Sequence, residues 1–284
     1  MKIFLTGKKG MLARAIAEVL SSRHQLTAKS HAEADIADES AMRKIVEAAQ
    51  PDAVVNAAAF TDVDACEAQK ELAFRVNAEG PRNLANICRD LDIPLMHIST
   101  DYVFDGEKDE PYVEEDAPRP LSVYGRSKLE GEREVQERLD RSWIVRVCGV
   151  FGPYRNNFVS LVAELGKKGQ PIRIVKDQRL APTYTFDAAV GIGQILRRGP
   201  YGLYHLTNQG FTSRIDFTRE ILRQAGFDKA QVIPISSEET KRSAPRPRNS
   251  QLENARLKRE GLGLLPAWED AVRRYLGQLP AGNS

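Results

Sequence analysis

Cysteine is scarce in this 284-residue chain: Cys66, Cys88 and Cys148 stand far apart, with no CxxC pair. An odd, dispersed set argues against a disulfide framework and against a zinc site, and fits a reducing compartment. Histidine is as thin, and His24, His31, His97 and His205 fall at no metal-ligand spacing, so no metal site is expected. No apolar run approaches the roughly 20 residues that span a bilayer. The opening MKIFLTGKKG holds a strand-like run too short for a signal-peptide core. A formal net charge of +2 gives no global field to recruit nucleic acid or an anionic membrane. Walker loops, internal repeats and low-complexity tracts are absent, and GRSKL lacks the closing Gly of a nucleophile elbow. These absences leave a cytoplasmic globular chain, a monomer or homodimer, with neither nucleic acid nor membrane as partner.

What is present is an alternation. Strands are predicted at 2–6, 24–28, 53–56, 94–99 and 142–147, with helices at about 11–20, 39–49, 64–76, 80–91 and 126–139. That order predicts an α/β fold, a doubly wound parallel sheet with helices on both faces. Ligands of such sheets bind outside the carboxyl ends of the strands. Beyond residue 150 the rhythm loosens, with helices at 156–169, 185–199, 213–226 and about 266–276, and strands at 172–175 and 203–206. Residues 1–150, with about 183–206, are expected to form a dinucleotide-binding domain. Residues about 151–182 and 207–284 are expected to form a smaller substrate-binding domain, with the closing LPAGNS frayed.

Gly7 and Gly10 lie between the first strand and its helix, with Ala13 at the third small position. Glycine there permits a tight turn and lets a diphosphate approach the backbone N–H groups at Met11 and Leu12. A plain turn gives the same pattern, but the strand before and helix after favour a dinucleotide. An enzyme strict for NAD carries an acid at the end of its second strand, for the ribose 2′-hydroxyl. Here Lys29 and Ser30 occupy that place, and no acid follows until Glu33. Lys29 and Ser30 suit a 2′-phosphate, so NADPH is expected and NADH stays open. Asp35 and Ile36 are candidates for the adenine. Ala57, Ala58 and Ala59 either let a flat ligand lie against the backbone or simply pack densely.

The stretch VYGRSKLEGE sets Tyr124 and Lys128 four residues apart, hence on one face of a helix. Reducing a ketone takes a hydride at carbon and a proton at oxygen. A free phenol titrates near 10, too high to be poised at neutral pH, and a neighbouring ammonium lowers it. HISTDYVFDG follows a strand, which puts Ser99, Thr100, Asp101 and Tyr102 at the carboxyl edge and Thr100 in place to polarise the same oxygen. Tyr-x-x-x-Lys is common by chance; its weight comes from the glycine turn and the Ser-Thr pair upstream.

Together these motifs resemble those of the extended short-chain dehydrogenase/reductases, and within them the dTDP-4-dehydrorhamnose reductase family. The likeness covers nearly the whole chain: TGxxGxL at 6–12, NAAAxTxVDxCE at 56–67, STDYVFDG at 99–106, YGxSKxxGE at 124–132 and RPxNSxL at 246–252. It implies a Rossmann-type fold and Thr100, Tyr124 and Lys128 as the catalytic set. It implies Asp101 and Tyr102 against the sugar or nicotinamide. It also implies reduction of the 4-keto group of a nucleotide-linked 6-deoxyhexose, dTDP-4-dehydro-L-rhamnose, for cell-surface polysaccharide synthesis. Tyr102 stands where a 4,6-dehydratase needs Glu. Residues 241–260 hold seven basic and two acidic side chains. Among them Arg246, with Asn249, is a candidate for the nucleotide diphosphate or for anchoring the loop. Asn157 and Phe158 are candidates for the pyrimidine, with core packing the rival for Phe158, and Gln178 for the nucleotide.

Three positions depart from the family pattern. Its Arg-x-x-Trp reads Arg146-Val147-Cys148-Gly149, the Gly of DQxGxPT is Leu180, and the Trp after Thr-Ser is Arg214. The pocket is therefore expected to lack an aromatic wall. That leaves open a reductase or epimerase of a different keto-sugar nucleotide. A non-catalytic, cofactor-binding regulatory subunit is a third reading, which the intact Thr100, Tyr124 and Lys128 weigh against.

Overall fold

A computed structural model describes residues 1–279; of the stretch expected to fray, residues 280–284 lie outside the described part. Six strands, β1 (Lys2–Thr6), β2 (Gln25–Lys29), β3 (Ala53–Asn56), β4 (Leu95–Thr100), β5 (Ser142–Val147) and β10 (Gly202–His205), form one sheet in the order β10-β5-β4-β3-β1-β2. Every pairing in it is parallel. Every residue of β3, β4 and β5 is buried, as a strand covered on both faces must be. The period of two shows in β1, where Ile3 and Leu5 join one core and Phe4 the opposite one. Helices α1 (Met11–Ser21) and α8 (Thr185–Arg198) cover the first face. Helices α2 (Glu39–Ala49), α5 (Gly80–Asp90) and α6 (Val123–Arg138) cover the second. Strand order reverses between β1 and β3, so the ligand crevice of this sheet opens beyond their carboxyl ends.

The helix expected over 64–76 is broken. Asp62 and Gln69 open two short helices, α3 (Val63–Ala68) and α4 (Lys70–Phe74), and a π-helical turn (Arg75–Glu79) runs on into α5. The wider turn serves Asn77, which is fully buried. Its amide takes the Phe60 N–H at 2.8 Å and donates to the Phe60 carbonyl and the Ser127 hydroxyl, each at 3.0 Å, tying the loop after β3 to α6.

A second core lies under the carboxyl edge. Short strand pairs frame it: β6 (Val150–Phe151) with β9 (Thr183–Tyr184), β7 (Ile172–Val175) with β12 (Val232–Ile235), and β8 (Arg179–Leu180) with β11 (Thr212–Ser213). Helices α7 (Phe158–Lys167), α9 (Arg214–Gln224) and α11 (Trp268–Leu276) pack over them through Phe151, Tyr184, Phe217, Trp268 and Tyr275. Between α9 and α11, Asn249 and Leu252 return to the 105–112 loop before α10 (Ala255–Arg259). No helix among the described residues is long and apolar enough to cross a membrane.

Candidate active site

Helix α6 starts earlier than its apolar pattern suggests. Ser122 caps it by accepting the Gly125 N–H at 3.1 Å, so Tyr124 and Lys128 sit in its first two turns. Thr100 ends β4 beside them, and the Tyr102 and Tyr124 rings meet edge to face at 5.9 Å. Thr100 and Tyr124 come together, and Lys128 lies one helical turn on, against β4. Burial pushes the Tyr124 phenol above its ordinary value, with Thr100 pulling it back and the Asp101 charge adding to the rise. The expected lowering by Lys128 is not what the geometry delivers. The Lys128 Nζ turns instead to the Ile98 carbonyl at 2.7 Å and to the His97 ring at 3.2 Å, and burial draws its own pKa down to about 8. A phenol is protonated at neutral pH in any case, and desolvation strengthens that preference in Tyr124.

Behind this group lies a buried ion pair. Arg146 of β5 clasps Glu132 of α6 at 2.9 and 2.6 Å, Ser99 donates to the same carboxylate at 2.5 Å, and the guanidinium stacks on Phe104 at 5.1 Å. The pair fixes α6 against β4 and β5 over the residues that carry Thr100 and Lys128.

The nucleotide end is built by backbone. Gly7 has φ +76°, and a Cβ there would sit 2.7 Å from the Ala57 carbonyl, so β1 and β3 leave a cradle only glycine fits. Helix α1 begins at Gly10 with no side-chain cap and no acid in its first turn, leaving the N–H groups at Met11 and Leu12 free for an anion. Ala57, Ala58 and Ala59 stay partly exposed beside it. These features fit a dinucleotide diphosphate. At the ribose end the sequence expectation changes. Glu33 folds back on Ser30, accepting its N–H at 2.9 Å and its hydroxyl at 2.6 Å, so an acid does stand at the end of β2, between Lys8 and Lys29. Asp35 faces Arg75 and His31, while Ile36 is buried against Gly80 and lends its carbonyl to Asn83 at 3.1 Å.

Several candidates for substrate contact hold the fold instead. Asn157 caps α7, and its amide hydrogens go to the Gly152 and Arg155 carbonyls and the Tyr275 hydroxyl, so none remains for a pyrimidine. Asn249 is fully buried and donates to the Lys108 and Glu110 carbonyls, both at 2.9 Å. Asp101 is buried as well; it accepts from Thr100 at 2.9 Å, lies against Cys148 and Ser250, and is pushed upward by burial. Gln178 reaches Ser237 at 3.2 Å. Arg246 forms a two-pronged ion pair with Asp64 at 2.7 and 2.6 Å, latching the 243–246 loop to α3, while its Nε is buried without a partner. Phe158 stacks on Phe217 and lies under Arg214, the cation 4.7 Å from its ring.

Sequence reading missed three things here. Arg214 stands where the family pattern has Trp, and its charge, with those of Arg242 and Arg246, bears on Tyr102. Leu180 fills the space over Gly149, its Cδ1 2.9 Å from where a Cβ would stand. His97, at no metal-ligand spacing in the sequence, lies against Lys128.

Known proteins resemble this chain over nearly its whole length. A family model described as RmlD substrate binding domain matches residues 1–280. A dTDP-4-dehydrorhamnose reductase of Streptomyces griseus is 40% identical, over 94% of this chain and 90% of that protein. The crystal structure of a dTDP-4-dehydrorhamnose reductase from Clostridium acetobutylicum superposes with TM-score 0.95 at 38% identity, covering 98% of this chain and 99% of the other. That of Bacillus anthracis, in complex with NADP, gives 0.94 at 34% identity, covering 98% and 99%. The chain belongs to the dTDP-4-dehydrorhamnose reductase family.

Proposed function

We propose that the chain reduces the 4-keto group of dTDP-4-dehydro-L-rhamnose to give dTDP-L-rhamnose. The observation that carries the reading is the convergence of Thr100, Tyr124 and Lys128 at the carboxyl end of β4, beside the Gly7 cradle. NAD(P)H, when bound, supplies the hydride. Tyr124 gives the proton to the sugar oxygen, the phenol being protonated through neutral pH. Thr100 orients the same oxygen, and Tyr102 forms the wall opposite Tyr124. Lys128 serves Tyr124 by restoring the proton it has given, its own pKa drawn down to about 8 by burial. Arg214 and Arg242 are the cations we assign to the nucleotide diphosphate, Arg246 being committed to Asp64. At the ribose, Lys8 and Lys29 favour a 2′-phosphate and Glu33 a 2′-hydroxyl, a balance that leans to NADPH and still takes NADH. The test is oxidation of NADPH and of NADH with the keto-sugar nucleotide; no consumption with either cofactor sinks the reading.

A second reading, that the sugar is another 4-keto-6-deoxyhexose, draws on the Gly149–Leu180 wall and on Arg214 over Phe158. A panel of keto-sugar nucleotides distinguishes the two by their kcat/KM.

A further inference from the structure

Lys128 has a neighbour whose hydrogen can be placed from geometry alone. Asn56 ends β3, and its Oδ1 lies 3.2 Å from the Ala58 N–H and 2.6 Å from the Thr6 hydroxyl. A backbone N–H donates only, and although this one also reaches the Thr6 hydroxyl at 3.3 Å, an Nδ2 in place of the Oδ1 would set two donors 3.2 Å apart. The carbonyl of this amide thus faces it, and the Nδ2 faces the other way. There the Nδ2 meets the Nδ1 of His97 at 3.0 Å. The Nδ1 is therefore the acceptor. The single hydrogen of a neutral imidazole then sits on Nε2, and Nε2 lies 3.2 Å from the Lys128 Nζ.

His97 is neutral, since full burial and the Lys128 charge both oppose its protonation. An Nε2–H aimed at an ammonium sets two donors head to head. Aimed at a neutral amine it makes a hydrogen bond, and the amine still donates to the Ile98 carbonyl at 2.7 Å. We propose that His97, oriented by Asn56, is a positioning residue that favours the neutral amine of Lys128 and so keeps its proton exchangeable. The proposal rests on the reading that Lys128 serves Tyr124.

Other charged groups around Lys128 do not supply this effect. Glu132, one turn on in α6, favours the ammonium, but it is committed to Arg146 of β5 and to Ser99 of β4. Asp101 bears on Tyr124 and is bound by Thr100. Burial works in the same direction as His97, giving the midpoint near 8 already noted for Lys128.

The arrangement is reversible by one isosteric change. In Asn56→Asp the carboxylate still accepts from Ala58 and Thr6, and its second oxygen now accepts from Nδ1–H. The imidazole hydrogen moves to Nδ1, and Nε2 becomes an acceptor for the ammonium. Nitrogen-15 spectra of the histidine-labelled full chain, without cofactor, report the tautomer of His97. Carbon-13 spectra of labelled lysine titrate Lys128 itself. We expect Nε2–H in the wild type with a Lys128 midpoint at or below about 8. In Asn56→Asp we expect Nδ1–H, with the midpoint raised by at least about one unit. An Nδ1–H tautomer in the wild type overturns the proposal, as does a switched tautomer with the Lys128 midpoint unmoved. The wild-type tautomer decides the matter alone should the variant not fold. Neither spectrum needs turnover, so an enzyme inactive on every keto-sugar nucleotide refutes the functional reading and leaves this measurement standing.

Discussion

Leu180 and Gly149 share one space: the leucine Cδ1 occupies ground that a side chain on residue 149 would need. Residue 149 also has φ +53°, where a Cβ is strained. Gly149→Ala should cost about 1–2 kcal/mol from backbone alone, and Leu180→Ala, at a position 2% exposed, about 2–5 kcal/mol. Because the truncation opens the room that the added methyl needs, the double variant should lose less than the sum. Denaturant titration of the four proteins gives the coupling; strict additivity would show that the two positions do not share the wall.

Tyr124→Phe keeps the ring against Tyr102 and removes the acid. Turnover should fall by about 10²–10⁴. NADPH affinity, measured by fluorescence, should stay within about threefold, since the diphosphate cradle at Gly7 is untouched. A variant with unimpaired turnover removes Tyr124 from the reaction.

Glu33→Gln removes the negative charge that Ser30 holds at the end of β2. The preference for NADPH over NADH, as a ratio of kcat/KM values, should rise about tenfold, with Lys8 and Lys29 left unopposed beside a 2′-phosphate. An unchanged ratio places the ribose elsewhere.

The Asp64–Arg246 latch makes stability depend on acid. The Arg246 guanidinium beside Asp64 holds its carboxyl well below the ordinary 3.8. A depressed carboxyl contributes stability above its unfolded pKa and loses it as pH falls toward the folded one. Thermal midpoints of the wild type should therefore drop between about pH 5 and pH 2 more steeply than those of Asp64→Asn. Parallel curves would mean that the ion pair adds nothing. Exposure of Asp64 keeps the difference modest.

Much of this was legible in the chain. The apolar runs KIFLT, AVVN and SWIVRV became β1, β3 and β5 without a shift, because strands buried on both faces carry an uninterrupted apolar signal. The positions of Thr100, Tyr124 and Lys128 followed from spacing and from what precedes each. Side-chain partners did not follow. Asn157 and Asn249 looked like ligand groups because an amide that caps a helix and one that binds a base have the same letter in a sequence. Glu33 lies beyond the end of β2 in sequence, yet reaches Ser30 because the chain turns back at 30–33. His97 had no legible role, since its two ring partners come from Asn56 and Lys128, far from it in sequence.

Strand β10 arrives late. Its four residues, Gly202–His205, complete a sheet whose other five strands end by Val147. Until residue 205 leaves the ribosome, β5 presents an open row of N–H and C=O groups, and Trp143 lacks both the Tyr201 ring at 4.6 Å and the Gly199 carbonyl at 2.9 Å. An amino-terminal fragment cut near 150 would carry every residue of the glycine turn and of the Thr100, Tyr124 and Lys128 group. It would also carry a bare, apolar edge that invites another chain to pair with it. Synthesis in this protein therefore runs through the whole of β6 to β9 before the part made first can close.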